Sequence, residues 1–154
     1  MDLNDLIGPD DVFAGVKASC KKSLLQDLAD KASRKTGVPS ETVFATLLER
    51  EKLGSTGIGN GIAIPHGRLK GLKGITGIAV QLAKPVDFEA MDDQPVDLVI
   101  LLLAPEDSGA DHLKALARIA RVLKQPNKLA KLRAASDSAA IYALLTSEEA
   151  SHAA

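Results

Sequence analysis

Aromatic side chains are scarce in this chain: they make up 3% of the residues, and tryptophan is absent. Platforms on which nucleic-acid bases stack need such rings, so the core has to be built from Leu, Ile, Val and Ala. Charge of one sign is also lacking. Lys plus Arg number 19 against 20 Asp plus Glu, for a net charge of -1, and no basic field exists to hold a phosphate backbone. Cys20 is the only cysteine, which excludes an internal disulfide and suits a reducing compartment; a lone cysteine reads as a small core residue. The longest purely apolar run, Leu98 to Ala104, is too short to span a bilayer. The start, Met1 to Leu6, has neither a basic segment nor a long apolar one. The expectation is a soluble cytoplasmic protein with no nucleic-acid partner and no membrane insertion.

Several site signatures are missing too. No glycine is followed by Lys-Ser or Lys-Thr, so there is no Walker A loop, and Gly57-x-Gly59-x-Gly61 does not fit the dinucleotide fingerprint. Metal-ligand spacings are absent, and the three histidines stand far apart at 66, 112 and 152. Neither a metal nor another cofactor is expected, and the tail residue His152 has no assigned role.

With 154 residues and 45% apolar content, the chain suits a single domain over residues 1–154 with a real core from about 5 to 147. Val12-Phe13 reads as the start of an edge strand. Leu24, Leu25, Leu28, Ala29 and Ala32 share one helical face, with Ser19 as N-cap and Gly37 as the left-handed stop. A second helix opens at Pro39-Ser40, carries Val43, Phe44, Leu47 and Leu48, and ends at Gly54. Ile62 to Ile64 is a short strand, and Leu69 to Gly74 a loop or one helical turn. Thr76 to Leu82 alternates as a strand that Lys84-Pro85 breaks, leaving Val86 to Phe88 as a possible separate strand. Asp92 to Pro95 is a turn. Val96 to Leu103 is the unbroken apolar run of a strand buried on both faces. Ser108 and Asp111 fit a capping box for a helix from about 109 to 124, with core face Leu113, Leu116, Ala117, Ala120 and Leu123. Two shorter helices follow, one from Pro126 and one capped by Ser136 or Asp137, before a loose tail from Ser147. The order predicts an α/β domain, a mixed central sheet with helices on its faces.

What stands out is Gly54 to Arg68, with five glycines and Ile62-Ala63-Ile64 leading into Pro65-His66-Gly67. Glycines let a backbone approach an anion closely, and successive N–H groups in such a turn form an anion-binding nest. A neutral imidazole is available for attack on phosphorus near pH 7, so His66 is the candidate nucleophile. Phosphoryl transfer further needs cationic or N–H groups around the phosphoryl oxygens. Arg50 and Arg68 are the guanidinium candidates, Ser55 and Thr56 the hydroxyl candidates. His112, just inside a helix N-terminus that itself favours anions, is a further hydrogen-bond donor. Thr56, Gly67 and Arg68 make up the expected phosphate-binding set.

The run Arg50-Glu51-x-x-Gly54-Ser55-Thr56-Gly57-Ile58-Gly59-x-Gly61-Ile62-Ala63-Ile64-Pro65-His66-Gly67 resembles the phosphorylation motif of type-2 (fructose/mannitol-type) enzyme IIA domains. These belong to the phosphoenolpyruvate-dependent phosphotransferase system. The wording is nearest to the nitrogen-regulatory branch, and the resemblance extends over nearly the whole chain, loosening after Pro126. It implies an α/β sandwich with a mixed sheet of about five strands. It implies phosphorylation of His66 through Nε2, with Arg50 and His112 beside the phosphohistidine. It implies an HPr-like phosphocarrier as donor, itself charged by enzyme I from phosphoenolpyruvate. A regulatory member would then act on protein targets, such as potassium-transport components or sensor kinases, according to its phosphorylation state. The alternative is a sugar-transport subunit that passes the phosphoryl group to a cysteine of an enzyme IIB; a single domain with no fused IIB favours the regulatory class.

Overall fold

The computed structural model describes residues 2–147. Two single-turn 3-10 helices, Leu3–Asp5 and Pro9–Asp11, precede β1 (Val12–Val16), α1 (Lys21–Thr36) and α2 (Ser40–Lys52). Then come β2 (Gly57–Gly59), β3 (Ile62–Ala63), β4 (His66–Leu69), β5 (Thr76–Val86) and β6 (Val96–Pro105). Three helices close the described chain: α3 (Ala110–Leu123), α4 (Pro126–Ala134) and α5 (Ser138–Thr146).

The strands form one mixed sheet in the order β1-β5-β6-β3-β2, with β4 also paired to β6. β6 is its spine, antiparallel to β5 and parallel to β3 and β4. Side chains on a strand point alternately to opposite faces, and here both faces are covered. Val99, Leu101 and Leu103 enter a core shared with Leu24, Leu28, Val43 and Leu47 of α1 and α2. Leu98, Ile100 and Leu102 enter a second core with Ala115, Ile119, Leu132 and Ile141 of α3, α4 and α5. This is the α/β sandwich expected, with six strands in the mixed sheet.

β3 and β4 lie in one line along β6. Ile62 sits opposite Leu98 and His66 opposite Leu102, four residues further along both strands. Pro65 between them has no N–H to give the ladder, yet its carbonyl still accepts the Leu102 N–H at 2.9 Å. His66 is therefore the first residue of a strand anchored on the central strand of the molecule.

Local details depart from the sequence expectations in ways that packing explains. Cys20, not Ser19, caps α1: its sulfur accepts the Ser23 N–H at 3.4 Å, and the residue is exposed, not in the core. Gly37 does end the helix at φ 80°. β5 runs through Lys84-Pro85 to Val86, because its register against β6 shifts between Gln81 and Val86 and an irregular ladder has no need of the missing proline N–H. Ser108 does not cap α3. Gly109 takes φ 58° and ψ -132° as the N-cap, a backbone suited to glycine, and the Ser108 hydroxyl is left buried without a partner. The buried face of α3 is His112, Ala115, Ile119, Val122 and Leu123, so Leu113 lies 65% exposed and Ala117 faces solvent. The expected face was out of phase with the buried one: it left out Ile119 and Val122, and only Leu123 is common to both. Asp137 caps α5, its Oδ1 accepting the Ala140 N–H at 2.8 Å. The expected loose tail lies outside the described residues beyond Ser147.

Candidate functional site

His66 opens onto a cleft of about 430 Å³ between α2, β4 and the first turns of α3. Three elements meet there because each is fixed to the sheet. β4 is hydrogen-bonded to β6, α2 packs on β4, and α3 is seated by its own buried face. The approach of α2 is close: a Cβ placed on Gly67 would lie 2.6 Å from Thr46 Cγ2. Glycine at 67 thus allows Arg50, one turn beyond Thr46 on the same helix, to reach His66.

Both ring nitrogens of His66 are engaged, and differently. Nδ1 lies 2.8 Å from the Ile64 carbonyl, an acceptor only, so Nδ1 carries the proton. Nε2 accepts the Arg50 Nε–H at 3.3 Å, so Nε2 holds the lone pair. The ring is thereby set as the neutral Nδ1–H tautomer with Nε2 facing the cleft. Its pKa is pushed below the usual imidazole range, first by burial and then by the Arg50 charge; the bond to Ile64 and the Glu51 carboxylate pull the other way. Arg50 is itself held by a second bond, from Nη1 to the Gly54 carbonyl at 2.9 Å.

His112 presents the opposite tautomer. Its Nδ1 accepts the Arg68 Nε–H at 3.1 Å, which leaves the proton on Nε2. That Nε2 is buried and has no hydrogen-bond partner. The two imidazole rings stand edge to face with centroids 5.5 Å apart. Burial is again the first cause of a lowered pKa, followed by the nearby charges of His66 and Arg68. The cleft therefore brings together a nitrogen lone pair on His66, bonded to the Arg50 guanidinium, and a second imidazole of the opposite tautomer.

Of the residues singled out from the sequence, His66, Arg50, His112, Gly67 and Arg68 line this cleft. Arg68 donates to His112 and, from its two other nitrogens, to the carbonyls of Glu106 (3.4 Å) and Gly109 (3.2 Å), so it orients the second histidine. Thr56 is placed elsewhere. It is 4% exposed, and its hydroxyl and N–H both go to the Glu51 carboxylate. The glycines also serve otherwise than as a nest. Asn60 (φ 57°) and Gly61 (φ 77°) form the two-residue turn of the β2–β3 hairpin, and the Asn60 N–H is taken by Asp92 at 3.0 Å. Ser55 is likewise occupied, its hydroxyl donating to the Phe88 carbonyl at 2.8 Å.

Residues 5–148 match the family described as phosphoenolpyruvate-dependent sugar phosphotransferase system, EIIA 2. The chain belongs to this family. This EIIA domain is 54% identical over 145 residues to a nitrogen regulatory protein of Bradyrhizobium diazoefficiens, covering 94% of this chain and 95% of that one. It is 38% identical over 151 residues to the nitrogen regulatory protein of Escherichia coli K12, covering 97% and 92%. Its fold matches the crystal structure of the nitrogen regulatory protein IIA-Ntr from Neisseria meningitidis with a TM-score of 0.88 at 34% identity, over 93% of this chain and 98% of that one. Among the described residues of the EIIA domain, no helix is long and apolar enough to cross a membrane.

Sequence reasoning gave no site role to Asn60-Gly61, Leu53, Leu113 or Glu51. Asn60-Gly61 is the usual signal of a tight hairpin and was available in the sequence. Leu53 (84% exposed), at the C-terminal end of α2, and Leu113 flank the cleft as apolar rim residues; Leu113 reads as core until the phase of α3 is known. Glu51 is buried at the end of α2, where a charged run reads as a solvated helix end.

Proposed function

We propose that this EIIA domain is a phosphocarrier of the nitrogen-regulatory kind. It accepts a phosphoryl group on His66 Nε2 from a phosphorylated HPr-like protein, fed by enzyme I and phosphoenolpyruvate. The observation that carries this reading is the fixed tautomer: Nδ1–H is tied to Ile64, so the lone pair is on Nε2, where it meets the Arg50 guanidinium, and the His112 ring stands edge to face at 5.5 Å between centroids.

The chemistry follows from that arrangement. Nε2 attacks the phosphorus in line, a new N–P bond forms, and the donor's N–P bond breaks with its electron pair returning to the donor imidazole. Arg50 Nε–H gives up the lone pair as it becomes a bond, and turns to a phosphoryl oxygen. His112 Nε2–H supplies a second donor, held in the right tautomer by Arg68. The Nδ1–H to Ile64 bond persists and stabilises the phosphorylated ring. Nothing in these steps draws on a nucleotide or a metal. The phosphoryl group adds about -1.5 to -2 charge to an open cleft with an apolar rim. A partner reads that charge at the surface while the sheet beneath stays as it is. Regulatory targets such as transport components or sensor kinases are the class of listener this implies.

The test is to incubate the protein with phosphoenolpyruvate, enzyme I and HPr-like carriers and follow its intact mass. One acid-labile, base-stable phosphoryl group is expected on the wild type and none on His66→Ala. An unlabelled wild type, or equal labelling of the variant, would overturn the reading.

A further inference from the structure

The least expected charged group in the fold is Glu51. It lies in the last turn of α2, where the helix dipole disfavours a carboxylate, and it is 8% exposed. Burial of a carboxylate is costly unless it is paired and hydrogen-bonded, and here every donor comes from one place or from one cation. Oε1 accepts the Thr56 N–H at 3.0 Å and pairs with Lys21 Nζ at 3.0 Å; Oε2 accepts the Thr56 hydroxyl. Lys21 is held in turn over the Phe88 ring, 4.6 Å from its centroid.

Thr56 passes this anchor to both active groups. Its carbonyl accepts the Ile64 N–H at 3.0 Å, and the Ile64 carbonyl is the group that accepts His66 Nδ1–H. Two residues before Thr56, the Gly54 carbonyl holds Arg50 Nη1. The Gly54–Thr56 loop is therefore the common support of the nucleophile's tautomer and of the guanidinium. We infer that Glu51 is a positioning residue of the phosphoryl-accepting site, acting through Thr56 on His66 and Arg50. The inference rests on His66 being the acceptor, and it assigns Thr56 a supporting role in place of phosphate contact.

Two near-isosteric variants test it. Glu51→Gln keeps the shape but has one carbonyl oxygen where the carboxylate has two, and it removes the charge facing Lys21. Thr56→Val keeps the shape and removes the hydroxyl. Misplacement on the order of 1 Å costs up to about a hundredfold in rate, so we expect kcat for transfer from the phosphorylated carrier to fall about tenfold or more in each variant. KM for the carrier should be unchanged, because neither side chain is at the surface. The double variant should be no slower than the slower single one, as for groups acting in one unit. The ¹⁵N spectrum of the unphosphorylated His66 ring should move from the Nδ1–H tautomer toward a mixture, and its titration in Glu51→Gln should shift to lower pH. Loss of stability with wild-type kcat and a wild-type ring spectrum would overturn the inference and leave Glu51 a structural group. If Glu51→Gln does not fold, Thr56→Val decides alone. A wild type that takes no phosphoryl group defeats the reading of His66 as acceptor, while the ring spectra still decide whether Glu51 sets its tautomer.

Discussion

His66 and His112 are the same residue type in one cleft, and hydrogen bonds give them opposite roles. A carbonyl at Nδ1 of His66 forces the lone pair to Nε2; a guanidinium at Nδ1 of His112 forces the proton to Nε2. Arg68 therefore works through His112. His112→Ala should lower the phosphoryl-transfer rate by about a hundredfold, the usual effect of removing one donor to a developing charge. Arg68→Met should lower it less, and the double variant should match His112→Ala, which single-turnover kinetics on the three proteins would check. An additive double variant would mean that Arg68 contacts the phosphoryl group itself.

At the scale of elements, the site depends on how near α2 comes to β4. The contact of Gly67 with Thr46 sets that distance. Gly67→Ala would drive a methyl into Thr46 Cγ2 and part the two elements, moving Arg50 away from His66. A destabilisation of about 1–3 kcal/mol is expected, as for overpacked cores, together with slower phosphorylation. Thr46→Ser removes the offending methyl and keeps the hydroxyl that bonds the Thr42 carbonyl, so the double variant Gly67→Ala with Thr46→Ser should recover most of both losses. Urea unfolding and labelling rates would show whether the two recover together. α3 teaches a related lesson. Its phase leaves Leu113 at the cleft rim, where an apolar side chain suits a protein partner better than it suits water.

For the whole molecule, the lowered pKa values of the two histidines make a statement about stability. The folded protein binds their protons less readily than the unfolded chain, whose imidazoles titrate near 6.5. Stability from this source is fully present above that pH and declines as pH falls toward the folded pKa values, because the unfolded state then holds more protons. Urea midpoints should fall between pH 7.5 and 5.5, and less steeply in the variant His66→Gln with His112→Asn. For the same reason His66 remains a neutral acceptor somewhat below pH 6.5, so the acid limb of the labelling rate should lie beneath the ordinary imidazole value.

Sequence alone determined the parts of this protein that depend on local pattern. The apolar runs located β5 and β6 and the two leading helices, and the glycine-rich run ending in Pro65-His66-Gly67 pointed to the imidazole. Tertiary structure decided what depends on distant neighbours. That Arg68 meets His112, 44 residues away, through its Nε–H is visible only in the fold. Thr56 reads as a phosphate ligand until Glu51 turns it inward. The phase of α3 is fixed by the sheet and helices it packs on, which bury His112, Ala115, Ile119, Val122 and Leu123. A hydrogen-bonding group has several uses open to it in sequence, and only packing selects the one partner it meets.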